Sequence, residues 1–387
     1  MQHHRNTTAM YDKYFIFSVI ALLIIGLIMI TSASVSISER QYHQPFHYFY
    51  NQSMHIVLGI LLLLIILRIK TKLWHNLSKL MLICGIFLLL AVLIPGIGHQ
   101  VNGSMRWLGV GPIKLQVSEF IKLAFVIYLA TYLSKRNHEI RANAAEFLKP
   151  IIILGVISAL LLKEPNFGTA VVITITTISM LYLSGVRLWQ FAVLLIIATI
   201  SIGILAFSSH YRMLRLIAFL NPWAHQFNSG YQLTQSLIAF GRGGIFGVGL
   251  GDSIQKLFYL PEAHTDFLFA VLAEELGLIG TLTVIGLYTL MFVRILMIGR
   301  RAQLAKMHFA GYTAYGFAIW MGTQAMINIG VNSGLLPTKG LTLPLMSYGG
   351  SSLLITFVVI AILLRIDYET RKKGVIHAQF RKNLTKY

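Results

Sequence analysis

The stretch "YLPEAHTDFLFAVLAEELG", Tyr259 to Gly277, predicts an apolar helix beginning at Phe267, with Asp266 at its mouth and Glu274 and Glu275 inside it. The whole chain has only thirteen acidic residues, so this grouping needs a reason. A carboxylate held at the end of such a helix is suited to act as a general base toward a hydroxyl group. On local sequence it more commonly serves as a first-turn acid favoured by the helix dipole, here with Thr265 as N-cap. The two readings are compatible. Of the other three aspartates, Asp12 and Asp367 fall near the chain ends on the opposite face, which leaves Asp252 as the one rival to Asp266.

Ionisable side chains at membrane depth are functional candidates that need a named partner. Glu119 and Lys122, three residues apart in the fourth apolar segment, share a helix face. With Glu274 and Glu275 they are expected to form one internal charge cluster, serving either structural pairing or support of a reaction. In "HQVNGSMRWLGVGPIKLQVSEF", Arg106 and Lys114 flank Trp107. Trp107 suits an interfacial anchor or a stacking surface, and the two cations suit an anionic headgroup. Arg212 and Arg215 in "HYRMLRLIAFLNPW" make one basic face if the segment is helical, for lipid phosphates or for a ligand. Lys339 lies in "GLLPTKGLTLPLMSYGGSS", where two prolines and four glycines interrupt helical structure. Such backbone at membrane depth must face protein or a cavity. "GRGGIFGVGLG" lacks the Lys-Ser/Thr ending and strand context of a phosphate-binding loop, and reads as a flexible or tight-turning segment.

The elements that must position these residues follow from composition. The chain of 387 residues is 56% hydrophobic and 12% charged, about half the charge of soluble domains. It is an all-α polytopic membrane protein, with spans expected at roughly 14–33, 54–69, 79–95, 117–134, 150–163, 169–184, 188–207, 265–294, 308–331 and 343–364. Residues 1–13 and 365–387 form tails about this ten-helix domain. The first apolar run is expected to be retained as a span, not cleaved as a leader. Cys84 is the single cysteine, so an internal disulfide is excluded. The absence of a visible internal repeat weighs against an inverted-repeat transporter.

With the N-terminus inside, 22 of the 32 basic residues lie on the inner side and nine on the outer, with Lys122 in a span. The positive-inside rule therefore places both termini in the cytoplasm. The net charge of +19 reflects topology and anionic lipid, not nucleic acid. The nine outer cations, Arg40, Arg106, Lys114, Lys163, Arg212, Arg215, Arg242, Lys256 and Lys339, stand where topology disfavours them. One long outer loop, about 208–264, includes "YQLTQSLIAF", which suits the membrane interface. An unbroken helix from Asp266 to Arg294 would hold Glu274 near the outer hydrocarbon edge and Asp266 about 12 Å beyond it.

Taken together, "RWLGVGPIKLQVSEFIKLA", "YRMLRLIAFLNPW", "QSLIAFGRGGIFGVGLG", "LPEAHTDFLFAVLAEELG" and "SYGGSS" resemble the SEDS family of bacterial cell-wall proteins across nearly the whole chain. "LPTKGLTLPLMSYGGSS" is similar to the division-type branch more than to the elongation-type branch. The resemblance implies polymerisation of lipid II into β-1,4 glycan strands at the outer face of the cytoplasmic membrane, at the septum, with release of undecaprenyl diphosphate. It implies Asp266 as the catalytic residue and Trp107 as essential. Arg106, Lys114, Arg212, Arg215 and Lys339 match the family's substrate-binding cations, and Glu119 its glutamate. Lys122, Glu274 and Glu275 are expected to support the site. No organic cofactor is implied; a divalent cation, Mg2+ or Mn2+, would help hold the diphosphate, although the sequence has no clear site for one. The implied partners are a class B penicillin-binding protein and other division proteins. The alternatives are a lipid II flippase and a scaffold for that partner. One departure is "EPNFG", where Asn166 stands in place of the family aspartate. A charge role there falls to Glu164 or is lost, whereas a turn role survives.

Overall fold

The computed structural model describes residues 10–101, 104–110, 113–207 and 210–384. Every predicted span falls on a helix: α1 (Lys13–Tyr42), α2 (His47–Ile66), α3 (Thr71–Val92), α4 (Val117–Ala142), α5 (Ala144–Lys163), α6 (Phe167–Leu183), α7 (Leu188–Phe207), α10 (Leu268–Leu304), α11 (His308–Asn332) and α12 (Gly350–Leu384). The long loop contributes α8 (His210–Leu220) and α9 (Tyr231–Gly243). Among the described residues, α1, α2, α3, α4, α5, α10 and α12 are long and apolar enough to cross a bilayer, and α6 is a shorter apolar helix. Helices close their hydrogen bonds within one segment, which is why lipid permits them.

Burial separates the centre of the bundle from its rim. Ile121, Phe125 and Leu129 of α4, Phe317 of α11 and Val359 and Leu363 of α12 are buried, whereas Leu61 and Ile65 of α2 and Ile83 and Phe87 of α3 are exposed to the bilayer side. On one face, Asp12 caps α1 by accepting from Phe15 N and receives the guanidinium groups of Arg294 and Arg301. Arg301 also reaches Asp367 of α12 at 3.0 Å. The first and last spans are thus tied to the same end of α10, as the charge distribution predicts.

Three features depart from the sequence reading. A small antiparallel sheet, β1 (His99–Val101), β2 (Ser104–Val110) and β3 (Ile113–Gln116), precedes α4. Its register places Trp107 opposite Gln116 and Gly109 opposite Lys114. The pairings are local, Val101 with Ser104 and Val110 with Ile113, and the Asn102-Gly103 pair in the sequence between β1 and β2 was the available signal. Second, α9 buries Leu233, Ser236 and Ala239 and packs on α10, a contact the sequence did not indicate. Ser236 also donates to Asn332 O at 2.6 Å.

Third, α10 is not continuous. Gly277 has φ 63° and ψ −159°, which breaks the helix after a short arm, Leu268 to Leu276. The glycine-rich segment enters this break. Val248 N and Gly249 N donate to Glu274 O and Glu275 O, while Leu278 N and Ile279 N donate to Gly244 O and Ile245 O. A Cβ on Gly277 would stand 2.3 Å from Gly247 N, and one on Gly247 would stand 2.1 Å from Glu275 O. The glycines permit two backbones to touch, so the segment is packed, not flexible. The 12 Å helix-length placement of Asp266 therefore does not hold.

Candidate active site

Asp266 stands in a tight turn just before α10. Thr265 N and Phe267 N both donate to Glu262 O, at 3.1 and 3.2 Å. Glu262 adopts a left-handed φ of 58°, and its carboxylate accepts from Thr265 Oγ1 at 2.6 Å. The N-cap of α10 is Phe267, with no side-chain cap bond and no acid in the first turn. The helix-cap reading of Thr265 and Asp266 is thereby overturned, because the hydroxyl is spent within the turn.

The other side of Asp266 is held by α11. Asn328 and Asn332 donate their carboxamide N–H groups to Asp266 O, at 2.8 and 3.0 Å. Asn332 also accepts from Ala270 N at 3.1 Å. The same helix face satisfies the non-helical segment 333–349: Asn328 donates to Leu341 O at 2.6 Å and Gln324 to Thr342 O at 2.9 Å. This is how irregular backbone persists among membrane helices. Gln324, Asn328 and Asn332 were not singled out from sequence. Their spacing of four residues in an apolar helix was the available signal.

That segment brings cations to the acid. A Cβ on Gly340 would lie 2.9 Å from an Asp266 carboxylate oxygen, so the residue after Lys339 faces Asp266 directly. The Lys339 ammonium sits 4.2 Å from the Phe167 ring centroid. Arg215 of α8 donates to Thr338 O at 3.3 Å. Arg106 of β2 donates to Glu164 O at 3.1 Å and to Pro165 O at 2.8 Å. Gly168 meets Leu341, which closes the α5–α6 turn against the same segment. Asp266, Arg106, Arg215 and Lys339 are each half-buried. Trp107, beside Arg106, is half-buried too. The side chains of Lys114 and Arg212 lie outside the described residues; their backbones belong to β3 and α8.

Burial pushes the Asp266 carboxyl up to about 7, and the Glu262 charge adds to this, while Arg106 and Arg215 oppose it. The acid thus changes charge near neutral pH. Asp252 is exposed, its carboxylate beside Gly249.

The expected single charge cluster resolves into separate sites. Glu119 pairs with Lys122 at 2.7 Å, and Lys122 donates to Gln324 Oε1 at 2.9 Å. Trp320 Nε1 donates to the same oxygen, and the ammonium lies 4.9 Å from the Trp320 ring. This pair therefore anchors the carboxamide that holds Thr342. Glu274 instead accepts from Arg242, Ser253 and two backbone N–H groups. Glu275 accepts from Lys256 at 2.9 Å and from Ser32 of α1 at 2.6 Å. Both glutamates brace the break in α10.

At the α5–α6 turn, Asn166 accepts from Thr169 N and caps α6, so the turn role survives the missing aspartate. Glu164 is fully buried, and neither carboxyl oxygen has a hydrogen-bond partner among the described residues. Burial pushes it up to about 8, against the pull of Arg106.

A bundle of apolar helices of bilayer length, with a half-buried carboxylate in the field of two arginines, defines a polytopic membrane protein. The chain matches the FtsW/RodA/SpoVE family, described as cell cycle proteins, over residues 12–372, and it belongs to that family. It is 57% identical over 363 residues to the probable peptidoglycan glycosyltransferase FtsW of Legionella pneumophila, covering 94% of this chain and 92% of that one. The Coxiella burnetii protein of the same name is 54% identical, covering 96% and 100%. Among solved structures, a chain described under the structural coordination of polymerization and crosslinking by a peptidoglycan synthase complex superposes with a TM-score of 0.74. It has 26% identity and covers 93% of this chain and 98% of that one. The rod shape determining protein RodA of Thermus thermophilus gives 0.68 at 26% identity, covering 94% and 98%.

Proposed function

We propose that this protein is a division-type peptidoglycan glycosyltransferase that polymerises lipid II at the outer face of the cytoplasmic membrane. The observation that carries this reading is Asp266, half-open, poised near neutral pH, in the field of Arg106 and Arg215, and faced by Gly340, the residue after Lys339. Asp266 accepts the proton of the acceptor GlcNAc 4-hydroxyl while that oxygen attacks C1 of the donor MurNAc. The C1–O bond to the diphosphate breaks, and undecaprenyl diphosphate leaves with the electron pair. A single displacement converts the α-linked donor into a β-1,4 bond. Because the leaving group is already good, orientation and charge neutralisation by the cations carry most of the work.

Among the described residues, no three His, Cys, Asp or Glu side chains converge on a point that could hold a metal ion. A divalent cation that helps hold the diphosphate would then draw most of its ligands from phosphate oxygens and water. A class B penicillin-binding protein is the proposed partner, with both termini in the cytoplasm and the complex at the septum. The synthase complex among the structural neighbours, and the basic inner face, support this.

The test is lipid II polymerisation by purified wild type and Asp266→Asn, each with the partner. The variant should keep its fold and lose about 10²–10⁴ in rate. Full polymerisation by the variant refutes the base, and lipid II translocation without polymer by both proteins supports the flippase reading.

A further inference from the structure

Glu262 is a second carboxylate in the same turn as Asp266. Its carbonyl takes two turn N–H groups, its carboxylate takes Thr265 Oγ1, and its backbone is held in the left-handed region. A non-glycine residue in that conformation costs about 1–3 kcal/mol and persists where the surroundings enforce it, often at active sites. A simpler turn would place Gly or Asn there. The turn instead spends strain to fix an acid four residues before Asp266.

We infer that Glu262 is a positioning residue for glycosyl transfer: it fixes the turn that aims Asp266 and, by its negative charge, sets the proton affinity of that base. The inference rests on Asp266 being the base.

The charges around the pair give the direction. Arg106 from β2 and Arg215 from α8 stabilise ionised Asp266; Lys339, the residue before Gly340, has its ammonium over the Phe167 ring. Asn328 and Asn332 of α11 are neutral and bind only the main-chain carbonyl. Tyr48 of α2 and His264 of the turn itself also feel the Glu262 charge. Burial holds His264 below its ordinary value, which makes it a neutral neighbour at neutral pH. Two or more cations alone would draw Asp266 toward a permanently ionised, weakly basic carboxylate. The Glu262 charge counters them and keeps the base strong enough to take a hydroxyl proton.

The experiment is the pH dependence, from 5 to 9, of lipid II polymerisation by the full chain with its partner. Wild type, Glu262→Gln and Glu262→Asp are compared, with saturating and limiting lipid II. Wild type should lose rate on the acid side of about 7. In Glu262→Gln that acid limb should move down by roughly one pH unit, so the rate at pH 6, relative to its own plateau, rises about fivefold. The plateau kcat should fall, because a weaker base remains. Glu262→Asp keeps the charge and should keep the acid limb within a few tenths of wild type, whatever its plateau. An unmoved limb in Glu262→Gln, or the same shift in Glu262→Asp, overturns the inference. Full polymerisation by Asp266→Asn, in contrast, refutes the base itself and is a separate outcome.

Discussion

Replacing Gly277 by alanine tests whether the break in α10 builds the site. Its φ of 63° with ψ of −159° is a conformation open to glycine and costly for any L side chain, about 1–3 kcal/mol. The new methyl would lie 2.3 Å from Gly247 N and 2.6 Å from Ile245 O, about 1 Å short of ordinary contact. Neither is a flexible side-chain end; both are backbone. The glycine-rich segment must therefore retreat, loosening the four hydrogen bonds that join 244–249 to 274–279. Losing two of them adds about 1 kcal/mol each. The expected destabilisation is about 3–5 kcal/mol. Because Glu274 and Glu275 brace this junction, polymerisation should fall with it. Gly286, farther along the same helix, supplies the control: a Cβ there meets nothing within 4 Å, and Gly286→Ala should be neutral or stabilising by up to about 1 kcal/mol. The assay is thermal unfolding in detergent with lipid II polymerisation on the same samples. A Gly277→Ala protein that melts with wild type and polymerises at its rate would show that the break in α10 does not build the site.

Two further outcomes follow from buried charge. Lys122→Met leaves the buried Glu119 carboxylate without its cation and should cost about 3–5 kcal/mol, whereas Glu119→Gln with Lys122→Met should cost clearly less; comparing the melting temperatures of both variants checks this. For Glu164, the folded carboxyl is raised from an ordinary 4.5 to about 8. Below the ordinary value both states are protonated and no penalty exists. Between the two values the fold keeps a proton that the unfolded chain has released, so stability falls as pH rises and levels off above about 8. Glu164→Gln should remove this slope, gaining a few kcal/mol at pH 8 relative to wild type and little at pH 4. Identical pH–melting curves for the two proteins would contradict it.

Much of the molecule was legible because hydrophobicity and charge act locally. An apolar run of bilayer length must be a helix wherever it ends up, and excess basic residues mark one face without reference to neighbours. Every predicted span accordingly lies on a helix, and Asp12 and Asp367 meet around Arg301 on one face. Residue type also nominated Asp266 and the outer cations, since ionisable groups beside membrane spans are few. The failures share another character. Thr265 has the chemistry of an N-cap, yet it bonds Glu262, and nothing local distinguishes those fates. The α10 pattern is that of an unbroken span, because the signal for its break lies thirty residues away in the glycines that enter it.

The sequence alone told which segments are apolar helices of bilayer length, which ends carry the basic excess and which side chains have chemistry to offer. Those properties follow from the solvation of each segment alone. Tertiary structure decided who stands beside whom. It tied Arg106 to the α5–α6 turn and put Gly340 against Asp266. It spent Glu274 and Glu275 on the α10 junction and set α11 carboxamides under the irregular backbone. The proton affinity of Asp266 belongs to this second kind, since burial, Glu262 and two arginines from other elements fix it together. A pairwise field depends on distance, and distances between remote segments exist only once the chain has folded.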